Sequence, residues 1–508
     1  MAESTTYTGG EMQQLTGQVG VLDIDDSGSG NRQSEAPEAV LQRCNNKAAI
    51  ITQQAANISQ LLSDTRIFTE EDDLVVLLKT AVREAQIELR RMKAAEIQWH
   101  VARITSLQEA SEPVSKMLEH FNNTIKEIIE DTLKREEVTA TLWRCAERCF
   151  NEAVAPSGQL DCEPYLTSMR KERVIRTPHA DIRELRRYTE EDKKQIRNDW
   201  LGFWAGCLSQ CPGGPTLFLP SILSPVETER PPAHDPPRYL FRAYDSGSWG
   251  INDHDVIASV CHKKGYNSKN DIFSLEEQDA AKVIHDHLWR PKKSNYVDNL
   301  VSWSSSLMFV IQYANYRWCN ISPRATEWDG VSICAVDTTK FPKGQFVRDK
   351  WLMGRFGNKK LRSFLDFRLN WSVYDNGEYL SQGALNIERR SCTMTLRRLH
   401  DARLPDLYRE LDIEFVSQDS EAQGSWPDYV AGLRSAWRYA CPTTNREVSA
   451  AKEIARRCFR SFDENDIVLL LLAFRERELR NTGKPLIDDT QRLMKLTDQL
   501  KKTNTARM

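Results

Sequence analysis

The sequence predicts an α+β protein in which a mixed domain is flanked by helical regions. Apolar residues recur at helical spacing before residue 155 and after residue 421, whereas short β-branched and aromatic runs lie between residues 237 and 420. The length of 508 residues suits about three domains. We expect a disordered tail at 1–38, a helical bundle or coiled-coil hairpin at 39–155, a linker at 156–236, the mixed domain at 237–420 and C-terminal helices at 421–508.

Composition and charge argue against two classes of partner. The net charge is −3 and 40% of the residues are hydrophobic, so the chain has neither the basic excess of a nucleic-acid-binding protein nor an unusual apolar content. The longest strongly apolar run, Ile467–Phe474, is far shorter than the ~20 residues that span a membrane. The N-terminus lacks the basic and apolar stretches of a secretory signal. We expect a cytoplasmic protein without a membrane partner, with the nucleus as an open alternative.

The twelve cysteines are too sparse for a disulfide scaffold. Cys145 and Cys149 are four residues apart, as are Cys207 and Cys211, but neither pair has a second pair and a matching His at zinc-ligand spacing. His285-Asp286-His287 is interpreted as part of an ordinary helix. No metal site is therefore predicted.

Two apolar stripes predict the N-terminal helices. Acidic residues 70–72 behind Thr69 mark a helix start, as does Glu112 behind Ser111. The first stripe consists of Leu78, Val82, Ala85, Leu89 and Met92, and the second of Val114, Leu118, Phe121, Ile125 and Ile128. Spacings that alternate between four and three are typical of a coiled-coil seam. Two interpretations stay open, namely a bundle packed on itself, closed by a helix near Thr139–Ala153, and self-association or partner docking through helices 70–134.

The linker is predicted to contain one charged helix, Ala180–Trp200, followed by a stretch rich in Pro, Gly and Ser. Within that stretch Leu217-Phe218-Leu219 is too apolar to remain in water. We therefore expect these three residues to be anchored on a neighbouring domain.

The mixed domain is predicted from short strands with helices between the early ones. The strands are expected at Tyr239–Tyr244, Leu300–Trp303 and Val331–Val336, with extended pieces around Phe364–Tyr374 and Tyr379–Ile387. The helices are expected at Leu275–Trp289 and Leu307–Arg317. Beyond it we expect helices at Tyr429–Tyr439, Arg446–Phe462, Asp463–Asn481 and Asp488–Lys502.

Three short segments of the mixed domain carry the functional information. Tyr239–Asp245 ends a strand with an arginine, Ser302–Ser306 places a Ser-x-Ser at the end of another strand, and Glu378–Gly383 opens a third strand with a glutamate. This order resembles the Arg/Ser/Glu signature of ADP-ribosyltransferases of the bacterial-enterotoxin type. The stretch 238–383 also resembles a family of uncharacterised domains in filamentous fungi, through Tyr-Leu-Phe-Arg, Ser-Trp-Ser-Ser-Ser and Glu-Tyr-Leu.

The resemblance implies a role for each matching residue. Arg242 would bind NAD, the substrate, because a planar guanidinium suits its anionic half. Ser302 and Ser304 would support the nicotinamide pocket. Glu378 would be the catalytic carboxylate, stabilising the oxocarbenium-like state of nicotinamide-bond cleavage. Asn376 stands where transferases that modify arginine carry Glu, on the acceptor side.

Each segment also has a simpler interpretation. Arg242 could pair with a surface acid such as Asp245, the serines could cap the helix at Leu307, and Glu378 could follow an ordinary Asn-Gly turn. The basic segment 340–368 could bind phosphates or be a solvated rim, and nucleic-acid binding is not expected. The sequence therefore supports two hypotheses. One is an NAD-dependent ADP-ribosyltransferase or NAD glycohydrolase, and the alternative is a non-catalytic interaction protein with a degenerate transferase-like domain.

Overall fold

We describe the chain from a computed structural model. It describes residues 53, 56, 60, 73–135, 142–177, 180–219, 236–289, 297–320, 330–356, 359–370, 375–412 and 426–478. The tail predicted at 1–38 and the helix predicted at Asp488–Lys502 lie outside these residues. Contacts divide the chain into two units, residues 1–96 and 97–508. Among the described residues, no helix has the length and apolarity to cross a membrane.

The described part of the first unit consists mainly of the beginning of a long helix, α1 (Asp73–Thr105). Along the predicted stripe, Val82 and Ala85 are half-buried and Leu89 is buried. Met92, the next member, is 43% exposed. The coiled-coil seam remains a prediction.

Helices dominate the first part of the second unit. The end of α1 is followed by α2 (Glu112–His120), α3 (Asn122–Arg135), α4 (Leu142–Val154), α5 (Glu163–Ser168) and α6 (Glu190–Gln210). Their shared core buries large side chains, among them Met117, Phe150 and Trp200. The predicted stripe on α2 and α3 faces this core, because Val114, Phe121, Ile125 and Ile128 are all buried.

The prediction of a helix at Ala180–Trp200 is wrong in its first half. Strand β1 (Arg170–Thr177) pairs antiparallel with β2 (Ala180–Arg187) over eight residue pairs. Helix α6 starts only after Thr189, where a capping box joins Thr189 to Asp192. Because the reciprocal cap fixes the helix start there, the preceding residues are free to pair as a strand.

The mixed domain is built on a six-stranded antiparallel sheet and a small three-stranded sheet. The strands are β3 (Tyr239–Asp245), β4 (Ile251–Asn252), β5 (Val256–Ala258), β6 (Leu300–Ser304), β7 (Val331–Asp337), β8 (Val347–Arg348), β9 (Glu378–Gln382), β10 (Ala384–Asn386) and β11 (Ser391–Thr395). The large sheet has the order β11-β7-β3-β6-β9-β8 and the small one β10-β5-β4. The prediction of a mixed α+β fold is confirmed.

The two faces of the large sheet have different neighbours. A short helix, α7 (Val260–Lys263), precedes the longer helices of the mixed domain in the chain. On one face, which we call the helix face, Leu300 and Leu380 pack with α8 (Glu277–Trp289), α10 (Asp349–Arg355) and α11 (Lys359–Asn370). On the other, the small-sheet face, Trp303 and Cys334 pack with Ile257 and Leu385 of the small sheet. Neighbouring residues of a strand point to opposite faces, so strand register decides which side chains meet.

The remaining helices cover the helix face over β3, β7 and β11. They are α9 (Leu307–Asn320), α12 (Leu396–Asp401), α13 (Leu404–Leu407), α14 (Trp426–Ala436), α15 (Asn445–Cys458) and α16 (Glu464–Leu472). Two short strands, β12 (Cys441–Pro442) and β13 (Arg477–Glu478), pair beside them. The predicted helices at Tyr429 and Arg446 are thus present with shifted ends. The prediction of a helix at Asp463–Asn481 is wrong in its second part, because the helix ends at Leu472 and Arg477–Glu478 form β13.

One further prediction in this domain is wrong. The extended piece predicted around Phe364–Tyr374 is helical as far as Asn370, in α11. Leu361, Phe364, Leu365 and Arg368 recur at spacings of three, one and three and turn their side chains inward, which is a helical rather than a strand period.

The helical part and the mixed domain are joined by buried contacts. Leu217 and Phe218 of the predicted linker are fully buried, as expected for an anchored segment. Glu147 of α4 and Arg390, just before β11, form a bidentate buried ion pair. Because an uncompensated buried charge is costly, this pair fixes the position of α4 against the sheet.

Candidate functional site

Strands β6 and β9 bring two of the predicted site residues together. They pair antiparallel, with Ser304 opposite Glu378 and Ser302 opposite Leu380, so Ser302 and Glu378 are diagonal neighbours on the helix face. The Ser302 hydroxyl donates to Oε1 of Glu378 at 2.8 Å. This contact joins the serine-bearing strand to the glutamate-bearing strand.

The second carboxylate oxygen of Glu378 is held by an arginine from α11. Nη2 of Arg368 donates to Oε2 of Glu378 at 2.9 Å, and its Nη1 pairs with Asp349 at the start of α10. Burial alone would lower the pKa of Arg368, but the charges of Asp349 and Glu378 outweigh it and raise the pKa. The Glu378 side chain is only 17% exposed, so its carboxylate is enclosed by protein partners.

Helix α8 adds a histidine that sequence reasoning set aside. Nε2 of His287 lies 2.8 Å from the Ser302 hydroxyl oxygen, and its Nδ1 lies 3.0 Å from Oδ2 of Asp298. Asp298, just before β6, also accepts from the backbone N–H of Leu300 at 2.7 Å. The Asp–His–Ser order has the distances of a nucleophilic triad. Here, however, the serine gives its single proton to Glu378.

One histidine joins the aspartate to the serine. The two ring nitrogens of His287 face Asp298 and Ser302, and the Ser302 hydroxyl in turn contacts Glu378. We call Asp298, His287, Ser302, Glu378, Arg368 and Asp349 the polar network.

The polar network continues at the edge strand β8. Nε of Arg348 lies 3.5 Å from Oδ1 of Asp349, and its Nη2 donates to Asp375 at 2.5 Å. Lys350 reaches the other oxygen of Asp375 at 2.8 Å. Burial raises the pKa of Asp349 to about 6, against the opposing charges of Arg368 and Arg348. Anionic and cationic groups thus alternate from Glu378 through Arg368, Asp349 and Arg348 to Asp375, which is how buried charge is tolerated.

Ser304 and Asn376 serve the turn that precedes Glu378. The buried Ser304 hydroxyl donates to the carbonyl of Asn376 at 2.6 Å and accepts from the N–H of Ser306. Gly377 has φ +65, and a Cβ there would lie 2.0 Å from the hydroxyl oxygen of Ser305. Only glycine fits this left-handed, crowded position, so the turn is built to hold Glu378 against β6.

Arg242 lies on the other face of the sheet. Phe241 is opposite Ser304, so Arg242 alternates away from that face and shares the small-sheet face with Trp303. Its Nε donates to Asn252 of the small sheet at 3.0 Å. Its Nη1 donates to the backbone carbonyl oxygen of Ser302, also at 3.0 Å. The structure thus brings the side chains of Ser302 and Glu378 together and places the side chain of Arg242 on the opposite face of the sheet.

Two residues that could have changed this arrangement take other positions. Trp303 is buried on the small-sheet face, where its Nε1 donates to Ser381 at 2.9 Å, so it does not fill the space beside Ser302. Asp245 forms a buried ion pair with Arg317 of α9. Among the described residues, no group of three or more His, Cys, Asp and Glu is arranged to hold a metal ion.

Comparisons with known proteins give the domain a family resemblance but no activity. Residues 235–399 match a family model described as a domain of unknown function (DUF7587). This stretch runs from the residues before β3 to α12 and contains the polar network. No curated protein and no solved structure matches the chain.

Proposed function

We propose that the chain is a non-catalytic binding protein whose Arg/Ser/Glu residues hold the mixed domain together. The observation that carries this proposal is the placement of Arg242 and Glu378 on opposite faces of one sheet. A cofactor clamp and the carboxylate that stabilises the reacting sugar must act on the same molecule from one side. The residues present therefore do not fit NAD in the manner that the transferase resemblance implies.

The environment of Glu378 supports the same proposal. A carboxylate that stabilises an oxocarbenium-like state must present its negative charge to the sugar. In this site the charge of Glu378 is compensated by Arg368, and both oxygens already accept hydrogen bonds. Removing either partner would leave a buried charge unpaired, which is the behaviour of a structural ion pair.

The helices at 70–134 supply the proposed interaction role. On α1, Ile87 and Met92 are 48% and 43% exposed, and apolar side chains of this size are common in surfaces that associate. The proposal assigns self-association or partner docking to this region. Sedimentation of the full chain at several concentrations tests self-association.

NAD consumption by the purified full chain tests the absence of catalysis. We compare wild type with Glu378→Gln and include an active NAD-hydrolysing enzyme to establish the sensitivity of the assay. We expect no Glu378-dependent turnover in either protein. Turnover by wild type that disappears in a folded Glu378→Gln variant would overturn the proposal.

One observation favours the second candidate, an NAD-dependent ADP-ribosyltransferase or NAD glycohydrolase. The 2.8 Å hydrogen bond from Ser302 to Glu378 joins the serine and glutamate motifs of the transferase pattern. The same assay decides between the two candidates. Turnover that survives Arg242→Gln but not Glu378→Gln would identify an enzyme that handles NAD without the predicted clamp.

A further inference from the structure

We propose that the edge of the large sheet at β11 holds a binding site for a small phosphate-bearing molecule. A cavity of about 450 Å³ lies there, within the size range of small-molecule sites. We call it the β11 cavity, and its polar lining consists of His254, Ser332, Thr393, Thr395, Arg397, Arg398 and Asp401. This inference deepens the proposed binding role and rests on it.

Strand register places the hydroxyl groups of the β11 cavity together. Ser332 of β7 is opposite Thr395 of β11, and Thr393 is opposite Cys334. Cys334 is a small-sheet-face residue, so by alternation Ser332, Thr393 and Thr395 lie on that face as well. Three hydroxyls therefore stand on two adjacent strands at the same end of the sheet, where those of Ser332 and Thr393 also hydrogen-bond Tyr244 and that of Thr395 accepts from the N–H of Arg398.

The same face carries positive charge from Arg242. Arg242 is opposite Cys334, in the same cross-strand row as Thr393. Burial raises the pKa of the Cys334 thiol to about 12, and the Thr393 hydrogen bond and the Arg242 charge oppose that rise. Arg242 is thus close enough to this row to act on it electrostatically.

The cations at the mouth of the cavity differ from the other arginines of the domain. Arg317, Arg348, Arg368 and Arg390 are each paired with a buried carboxylate. Among the described residues, no carboxylate forms an ion pair with the half-buried Arg398. A half-buried guanidinium with five donors and no acidic partner favours an anionic ligand.

The remaining charges of the lining leave an excess of positive charge. Arg397 and Asp401 are 4.0 Å apart and both more than half exposed, so their pairing is weak. Asp401 is the single acid among the described residues that line the cavity, against two arginines and His254. A guanidinium fork beside a group of hydroxyls suits the oxygens of a phosphate group.

Calorimetric titration of the full chain tests this site, with inorganic phosphate, AMP and acetate as separate probes in a phosphate-free buffer. We expect saturable binding of phosphate and AMP, with acetate at least about tenfold weaker, because a phosphate offers more charge and more acceptor oxygens. Tighter binding of AMP than of phosphate identifies a nucleotide-like ligand. Equal binding of both identifies the phosphate group alone as the recognised element.

Matched variants assign the binding to the cavity. Arg398→Gln should weaken AMP or phosphate binding about tenfold, because it removes a charge-assisted hydrogen bond. Thr393→Val keeps the shape and the strand preference and should weaken binding by a few-fold. Arg456→Gln removes the same charge from the surface of α15 and should leave binding unchanged.

Three outcomes would overturn the site: no saturable binding by wild type, acetate binding as tight as phosphate binding, or equal loss in Arg398→Gln and Arg456→Gln. Glu378→Gln separates this inference from the proposed function. If phosphate binds and NAD is consumed in a Glu378-dependent way, the cavity stands and the non-catalytic role fails. If neither occurs, the non-catalytic role stands and the cavity fails.

Discussion

Charged residues on the two faces of the large sheet differ in whether they have oppositely charged partners. On the helix face, Arg368 and Asp349 are buried, the Glu378 side chain is 17% exposed, and each has an oppositely charged neighbour. At the β11 edge of the small-sheet face, Arg398 is half-buried, lines a cavity and forms no ion pair among the described residues. The first arrangement is closed to a ligand, whereas the second leaves a guanidinium without an acidic partner beside a cavity.

This difference indicates which residues of the domain can bind a ligand, independently of the residues that match the transferase motif. A motif identifies residue types and order, but a buried carboxylate whose two oxygens are already bonded has little capacity left for a substrate. The half-buried Arg398, which forms no ion pair among the described residues and lines a cavity, has that capacity. The comparison therefore moves the search for a ligand from Glu378 to the cavity at β11.

The largest expected effect comes from breaking the polar network. Arg368→Met should lower the free energy of unfolding by about 3–5 kcal/mol, because it leaves Glu378 and Asp349 buried without their shared cation. Urea unfolding followed by circular dichroism measures the change. Arg362→Met, at an exposed position of the same helix, is the matched control and should change stability by less than about 0.5 kcal/mol. Equal effects of the two variants would contradict a structural role for the network.

A smaller effect is expected from acid. Burial alone would raise the pKa of Asp375, but the charges of Arg348 and Lys350 and the N–H of Gly377 outweigh it and lower the pKa. The unfolded carboxyl has a pKa of about 3.9, so below that pH the unfolded state takes up the proton first and stability falls. The contribution is fully present above about pH 5 and should amount to about 2 kcal/mol, the size typical of a salt-bridged Asp.

Asp375→Asn tests the acid effect through the slope of unfolding free energy between about pH 5 and pH 3. The slope should be shallower in the variant than in wild type, whatever the stability at neutral pH. Asp366→Asn, at an exposed position of α11, should keep the wild-type slope. A variant profile parallel to wild type would assign the acid sensitivity to other carboxyl groups.

Much of the fold could be predicted from local pattern. Tyr239, Leu300 and Val331 each begin a strand near the predicted position, because β-branched and aromatic runs bounded by polar residues are a local signal. The strand β2 was not predicted, because its charged sequence lacks the apolar alternation that marks a strand, although it pairs with the neighbouring strand β1. The same limit applies to α11, whose inward stripe contains a charged residue, Arg368.

The candidate site was predictable only in part. Ser302 and Glu378 meet because adjacent strands carry the two motifs, and the motif order already suggested that pairing. The face of Arg242 depends on the register between β3 and β6, and a shift of one residue would reverse it. His287 reaches Ser302 from helix α8 and also contacts Asp298, which lies just before β6; no local period encodes such contacts.

The smallest expected effect on stability is also the sharpest test of the comparison. Arg398→Gln should change the unfolding free energy by less than about 0.5 kcal/mol in phosphate-free buffer, since no buried carboxylate among the described residues depends on that guanidinium. Added AMP should raise the melting temperature of wild type by an amount that grows with AMP concentration, and that rise should shrink in the variant. A variant that is as unstable as Arg368→Met would mean that Arg398 is structural after all. The two faces would then not differ in this respect, because the charged residues on both would be paired with oppositely charged partners.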